Sequence, residues 1–104
     1  MNNTLGSSRE LAQSKLILLY TIEKTGIPVS NLQITRLMLE NRVMNYFLLQ
    51  QFLGELCDSG FLTKSSEGGK TFYAITQSGK QTLEYFSNII PEGIKNTINN
   101  AVNS

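Results

Sequence analysis

Asn45-Tyr46-Phe47-Leu48-Leu49-Gln50-Gln51-Phe52-Leu53-Gly54-Glu55-Leu56-Cys57-Asp58-Ser59-Gly60-Phe61-Leu62 is the stretch on which the reading of the whole chain turns. Asn45 carries the side-chain oxygen that an orphan backbone N–H at a helix start needs. Gly60 has the backbone freedom that a helix end favours, so the segment predicts a helix over 45–59. Leu49, Phe52, Leu53 and Leu56 recur at i, i+3, i+4 and i+7 and form its core stripe. That choice leaves Leu48, Gln51, Glu55 and Asp58 on the opposite face.

Upstream, Ser30-Asn31-Leu32-Gln33 is a capping box, a serine hydroxyl and a glutamine amide placed to satisfy each other's backbone N–H. Leu32, Ile34, Leu37, Met38 and Leu39 then mark a short helix over 31–40, and Asn41 to Met44 make a turn. Two helices joined by a tight turn form a helix-turn-helix candidate. Before them, Ser7-Ser8-Arg9-Glu10 is a second capping box opening a helix over 8–25, closed at Gly26. Ile17 and Leu18 widen the apolar surface of this helix beyond one stripe, which calls for cover on more than one side. Ile27-Pro28-Val29 is an extended link or a very short edge strand, because proline cannot donate to a ladder.

Downstream, Phe61 to Lys64 and Thr71 to Ile75 are rich in strand formers and flank Ser65 to Lys70, whose glycine pair favours a tight turn, so 61–75 reads as a β-hairpin. Thr76 caps a helix over 77–90 stopped by Pro91, and Ile94, Ile98, Ala101 and Val102 form a narrow stripe on a terminal helix over 92–102. The fold class is mainly α with a small β-hairpin. The expected organisation is a flexible N-terminus over 1–7, one domain over 8–90 and a C-terminal helix or tail over 91–104.

Composition narrows the chemistry. The 104 residues suit one domain, and hydrophobic residues at 40% suit a packed one. With no histidine and one cysteine, Cys57, the common zinc ligand sets, a Cys–His nucleophile pair and an internal disulfide are excluded. Cys57, between Leu56 and Asp58, reads as a packing thiol of a reducing, cytoplasmic compartment. Met1 to Ser14 holds no apolar run of signal-peptide length and the longest apolar stretch, Leu16 to Tyr20, is far short of a bilayer span, Glu55 and Asp58 share a helix face without a pocket signature, and Gly68-Gly69 lacks the following helix of a phosphate loop. An enzyme is not expected, nor a metal or other cofactor, and no residue cluster points to a small-molecule effector.

Helix, link, helix, turn, helix, hairpin, helix is the element order of the winged helix-turn-helix domain. Tyr73-Ala74-Ile75-Thr76-Gln77-Ser78-Gly79 leading to Leu83 resembles the strand-to-helix junction of PadR- and MarR-like transcriptional regulators. Leu53 to Leu62 resembles the end of their recognition helix running through glycine into the first wing strand. Leu11 to Ile90 is covered. The leucine-rich first helix, the run Asn45 to Gln51 and the Ile90-Pro91 pair are also similar to an uncharacterised bacterial winged-helix family of unknown function. Such proteins carry a further C-terminal region, so this resemblance implies a short member or part of a longer chain.

The resemblance implies a DNA-binding transcriptional regulator, with the third helix in a major groove and the hairpin wing on adjacent phosphates of double-stranded DNA. Base edges would be met by Asn45, Tyr46, Leu48, Gln50 and Gln51, whose amides suit adenine and whose apolar groups suit the thymine methyl. Phosphates would be met by Arg42, Lys64 and Lys70, and by backbone N–H groups near Ser30 and Asn31. Charge is sparse: the net formal charge is +1, and no Lys or Arg occurs from Val43 to Thr63. A homodimer would double the phosphate contacts. Leu18, Ile94, Ile98 and Val102, with Phe86, Ile89 and Ile90, are the expected seam, since regulators of this kind pair through terminal helices. The competing reading is a winged-helix protein-interaction module, in which the Leu48 face and acidic Glu55 and Asp58 dock a partner chain.

Overall fold

The computed structural model describes residues 8–103. Five α-helices, α1 (Ser8–Thr25), α2 (Asn31–Glu40), α3 (Tyr46–Asp58), α4 (Gln77–Phe86) and α5 (Glu92–Asn103), surround a small antiparallel sheet of β1 (Val29–Ser30), β2 (Leu62–Glu67) and β3 (Lys70–Ile75). The order α1-β1-α2-α3-β2-β3-α4 is compatible with a winged helix-turn-helix. The expected capping box at Ser7 and the N-terminal segment 1–7 lie outside the described residues.

The caps fall where the side-chain chemistry demanded them. Ser30 Oγ accepts the Gln33 N–H at 3.0 Å while Gln33 Oε1 accepts the Ser30 N–H at 3.1 Å. Asn45 Oδ1 accepts the Leu48 N–H at 2.9 Å and starts α3; Thr76 Oγ1 accepts the Gly79 N–H at 3.0 Å and starts α4. α3 ends with Gly60 N–H donating to Cys57 O and Phe61 N–H to Leu56 O, the pair of bonds that a left-handed residue after a helix allows. α2 ends in the same way, Arg42 N–H donating to Leu39 O and Val43 N–H to Met38 O, but here the left-handed residue is Arg42, at φ 56°.

Of the two readings of Ile27-Pro28-Val29 the very short edge strand is the one found: β1 pairs with β3, Val29 opposite Tyr73 and Ser30 opposite Phe72, giving the order β1-β3-β2. Two expectations change. The wing has a shorter turn than Ser65 to Lys70, because the strands run on to Glu67 and Lys70 and only Gly68 and Gly69, at φ 60° and 78°, bridge them. The fourth helix stops at Phe86 instead of continuing to Ile90; a 3-10 turn over Ser87–Ile89 carries the chain to Pro91.

The core is built around α1. Leu16, Ile17, Leu18, Leu19, Thr21 and Ile22 are all buried, because α3, α4, α5 and β3 pack around this helix. Both covers therefore come from the one chain. Tyr20 donates its hydroxyl to Asn99 Oδ1 at 2.8 Å, and Gln13 Nε2 donates to Ile89 O at 3.2 Å, fastening the C-terminal region along α1. Leu18 and Ile98, expected at a seam between copies, are 0% and 2% exposed inside this core, and Ile94 and Val102 are half-buried against it. The apolar stripe of α5 is thus occupied by α1 and α2 of its own chain.

Gly79 sits where α4 crosses the start of the hairpin. A Cβ there would lie inside van der Waals contact of the Phe61 carbonyl oxygen and 2.8 Å from Ile75 Cγ1. Around it, Thr76 N–H donates to Phe61 O at 3.1 Å and Thr76 Oγ1 donates to Gly60 O at 2.7 Å. These bonds tie the strand-to-helix junction to the end of α3, so the wing and α3 are held in one rigid corner.

Candidate nucleic-acid interface

The outward face of α3 is a stripe of Phe47, Gln51, Gly54 and Asp58, all exposed, with Tyr46 beside it. The buried stripe is the expected Leu49, Phe52, Leu53 and Leu56, and with a 100° residue step its true opposite lies roughly 50° from the face expected to point outward. Leu48 turns inward and is half-buried against the core, whereas Phe47 points out and is 82% exposed. The Tyr46 and Phe47 rings meet edge to face, with centroids 5.8 Å apart. The available signal for Phe47 was the core spacing itself, because at 100° per residue Phe47 lies opposite the Leu49, Phe52, Leu53 and Leu56 stripe.

Gln50 does not point outward. Its Nε2 donates to Asn31 Oδ1 at 3.3 Å and to Thr35 Oγ1 at 3.1 Å, while its Oε1 accepts from Asn31 Nδ2 at 2.8 Å. Asn31 Nδ2 also donates to the Tyr73 hydroxyl at 3.2 Å. A half-buried amide seeks partners for each of its polar atoms. α2 and β3 supply them, so Gln50 and the side chain of Asn31 join α2, α3 and the sheet instead of facing base edges or phosphate. Asn45 has its oxygen committed to the helix cap, and Gln51 Nε2 donates to Glu55 Oε2 at 3.0 Å.

Glu55 is not a bare negative charge on this face. Lys15 of α1 approaches it at 2.7 Å, and the hydrogen bond from that ammonium, followed by the one from Gln51, holds the Glu55 carboxyl below the usual carboxylate range. Nothing local in sequence announces a partner 40 positions away, so Lys15 was missed. Asp58 remains exposed on the stripe.

Arg42 precedes α3 in the chain, and Lys64 and Lys70 follow it on the hairpin. Arg42 is exposed at the corner between α2 and α3. Lys64 lies opposite Tyr73 in the hairpin and near enough to Cys57 of α3 for its charge to lower that thiol's pKa, although burial is the larger effect and pushes the thiol up overall. Cys57 is therefore a protonated, half-buried packing thiol at neutral pH. Lys70 shares a shallow surface cavity with Ser30, Asn31, Leu32 and Thr71, so three of the five expected phosphate-facing residues gather in one place. Glu67 sits opposite Lys70 across the turn and weakens the positive potential there.

No group of three or more His, Cys, Asp or Glu side chains among the described residues could hold a metal ion, and no described helix is long and apolar enough to cross a membrane. Residues 14–104 match the family model described as a domain of unknown function, DUF4364. No curated protein and no solved structure matches the chain.

Proposed function

The chain belongs to that family of unknown function, and we propose that it binds double-stranded DNA as a transcriptional regulator, α3 entering the major groove and the β2–β3 hairpin meeting the adjacent phosphates. The observation that carries this reading is the exposed Tyr46–Phe47–Gln51 face of α3, with exposed Arg42 in the turn before the helix and exposed Lys64 and Lys70 on the hairpin after it. A groove-reading helix needs an uncrowded face with backbone-binding groups beside it, because phosphate contacts position a protein and base contacts specify its site. The Lys15–Glu55 pair supports the same reading, since it reduces the repulsion that Glu55 would exert on phosphate.

Three cations per chain give a weak grip. At about 0.9 per phosphate the logarithmic salt slope of a single copy is about −3, and two copies on adjacent half-sites would bring it to about −5. Pairing of two copies belongs to this proposal, but α5 does not offer the surface. Exposed apolar side chains remain at the aromatic end of α4, where Tyr85 is 79% exposed and stacks edge to face on Phe86 at 4.8 Å, and also at Ile27 and Leu32.

Fluorescence anisotropy of a labelled mixed-sequence duplex against the full chain, started at about 20 mM salt and repeated as salt rises, tests the reading. Binding that falls with a slope between about −3 and −5 is the expected result. Absence of binding at the lowest salt would leave the exposed aromatic face to a protein partner and end the DNA reading.

A further inference from the structure

Resting on that duplex-binding reading, we infer that Phe47 reads thymine C5-methyl groups, so that the site preference of this protein depends on methyl-bearing pyrimidines rather than on guanine. The commonest specific contact in a major groove is a bidentate Arg or Lys on guanine. α3 cannot make it, because no Lys or Arg occurs from Val43 to Thr63. The amide route to adenine is also narrowed. Gln50 is held by Asn31 and Thr35, the Asn45 oxygen caps the helix, and Gln51 leans on Glu55. What the first turn of α3 does present is an aromatic ring, 82% exposed and braced edge to face by Tyr46. The feature of a groove floor that such a ring can recognise is the methyl of thymine, the one apolar group displayed there. The exposed cations on the segments before and after α3, Arg42, Lys64 and Lys70, fit a polyanion.

The test compares four duplexes of roughly 20 base pairs, two helical turns: one of alternating A·T, the same with every thymine replaced by uracil, one of alternating G·C, and the same with every cytosine 5-methylated. The full chain should bind the thymine duplex more tightly than the uracil one by about fourfold for each methyl contacted. It should also prefer methylated to unmethylated G·C. Phe47→Ala should erase both differences with an unchanged melting temperature, while Phe47→Leu should retain part of each. Equal, salt-dependent affinity for the thymine and uracil duplexes would overturn the methyl reading and leave duplex binding standing. Failure to bind any of the four at about 20 mM salt would overturn both.

Discussion

The side-chain amides of Asn31 and Gln50 face each other across the corner between α2 and α3, Asn31 Nδ2 donating at 2.8 Å and Gln50 Nε2 donating back at 3.3 Å. Each single truncation leaves a half-buried amide short of a partner, whereas the double truncation removes both. The cycle of Asn31→Ala, Gln50→Ala and the double variant should therefore show a coupling of about 1 kcal/mol in urea denaturation. Additive losses would mean that the pair is not a unit.

Gly79→Ala opposes two effects. Alanine gains up to about 1 kcal/mol of helix propensity over glycine, but overpacking a rigid contact costs typically 1–3 kcal/mol, and here the obstacle is the backbone carbonyl of Phe61. The clash should win, lowering the melting temperature. A melting temperature that rises would show that α4 can move away from the hairpin at little cost.

Ile98→Ala should destabilise the fold by about 2–4 kcal/mol, because the side chain is 2% exposed among α1 and α2 and its removal leaves a cavity. Sedimentation should give the same mass for parent and variant. A change of mass with stability retained would return α5 to a role between copies.

The Lys15–Glu55 pair sets a pH dependence whose sign follows from the depressed carboxyl pKa. A group that binds its proton less readily in the fold contributes stability above its unfolded pKa and loses it as pH falls through the folded one. Stability should therefore drop as the solution is acidified below about pH 4. Lys15→Met should return the Glu55 titration toward the ordinary range in carboxyl NMR; an unmoved titration would assign the shift to Gln51 instead.

Lys64→Glu with Lys70→Glu reverses two exposed hairpin charges, and exposed sites of this kind usually change stability by no more than about 0.5 kcal/mol. Duplex binding should be lost while the thermal transition stays put. Unchanged affinity would remove the hairpin from the interface.

Local chemistry was legible wherever one side chain and one backbone group settle the matter. Ser30 with Gln33, Asn45, Thr76 and the positive-φ glycines 26 and 60 all stand where their types demanded. What was not legible depends on partners far along the chain. Gln50 turns to Asn31 of α2, and 19 positions separate the two. The surplus apolar surface of α1 looked like an invitation to another molecule because helix periodicity cannot say how many of the chain's own elements will gather on it. Beyond the early end of α4 at Phe86, the Ile89 carbonyl accepts from Gln13 of α1, 76 positions away.

Arg42 occupies the left-handed position at the end of α2 that Gly60 occupies at the end of α3. For a residue with a Cβ this conformation costs roughly 1–2 kcal/mol, and glycine's looser unfolded chain offsets roughly 0.5–1 kcal/mol of that. Arg42→Gly should therefore make the protein slightly harder to melt. If the guanidinium at that corner grips a polyanion, the same replacement weakens the grip, and durability and affinity would move in opposite directions from a single side chain.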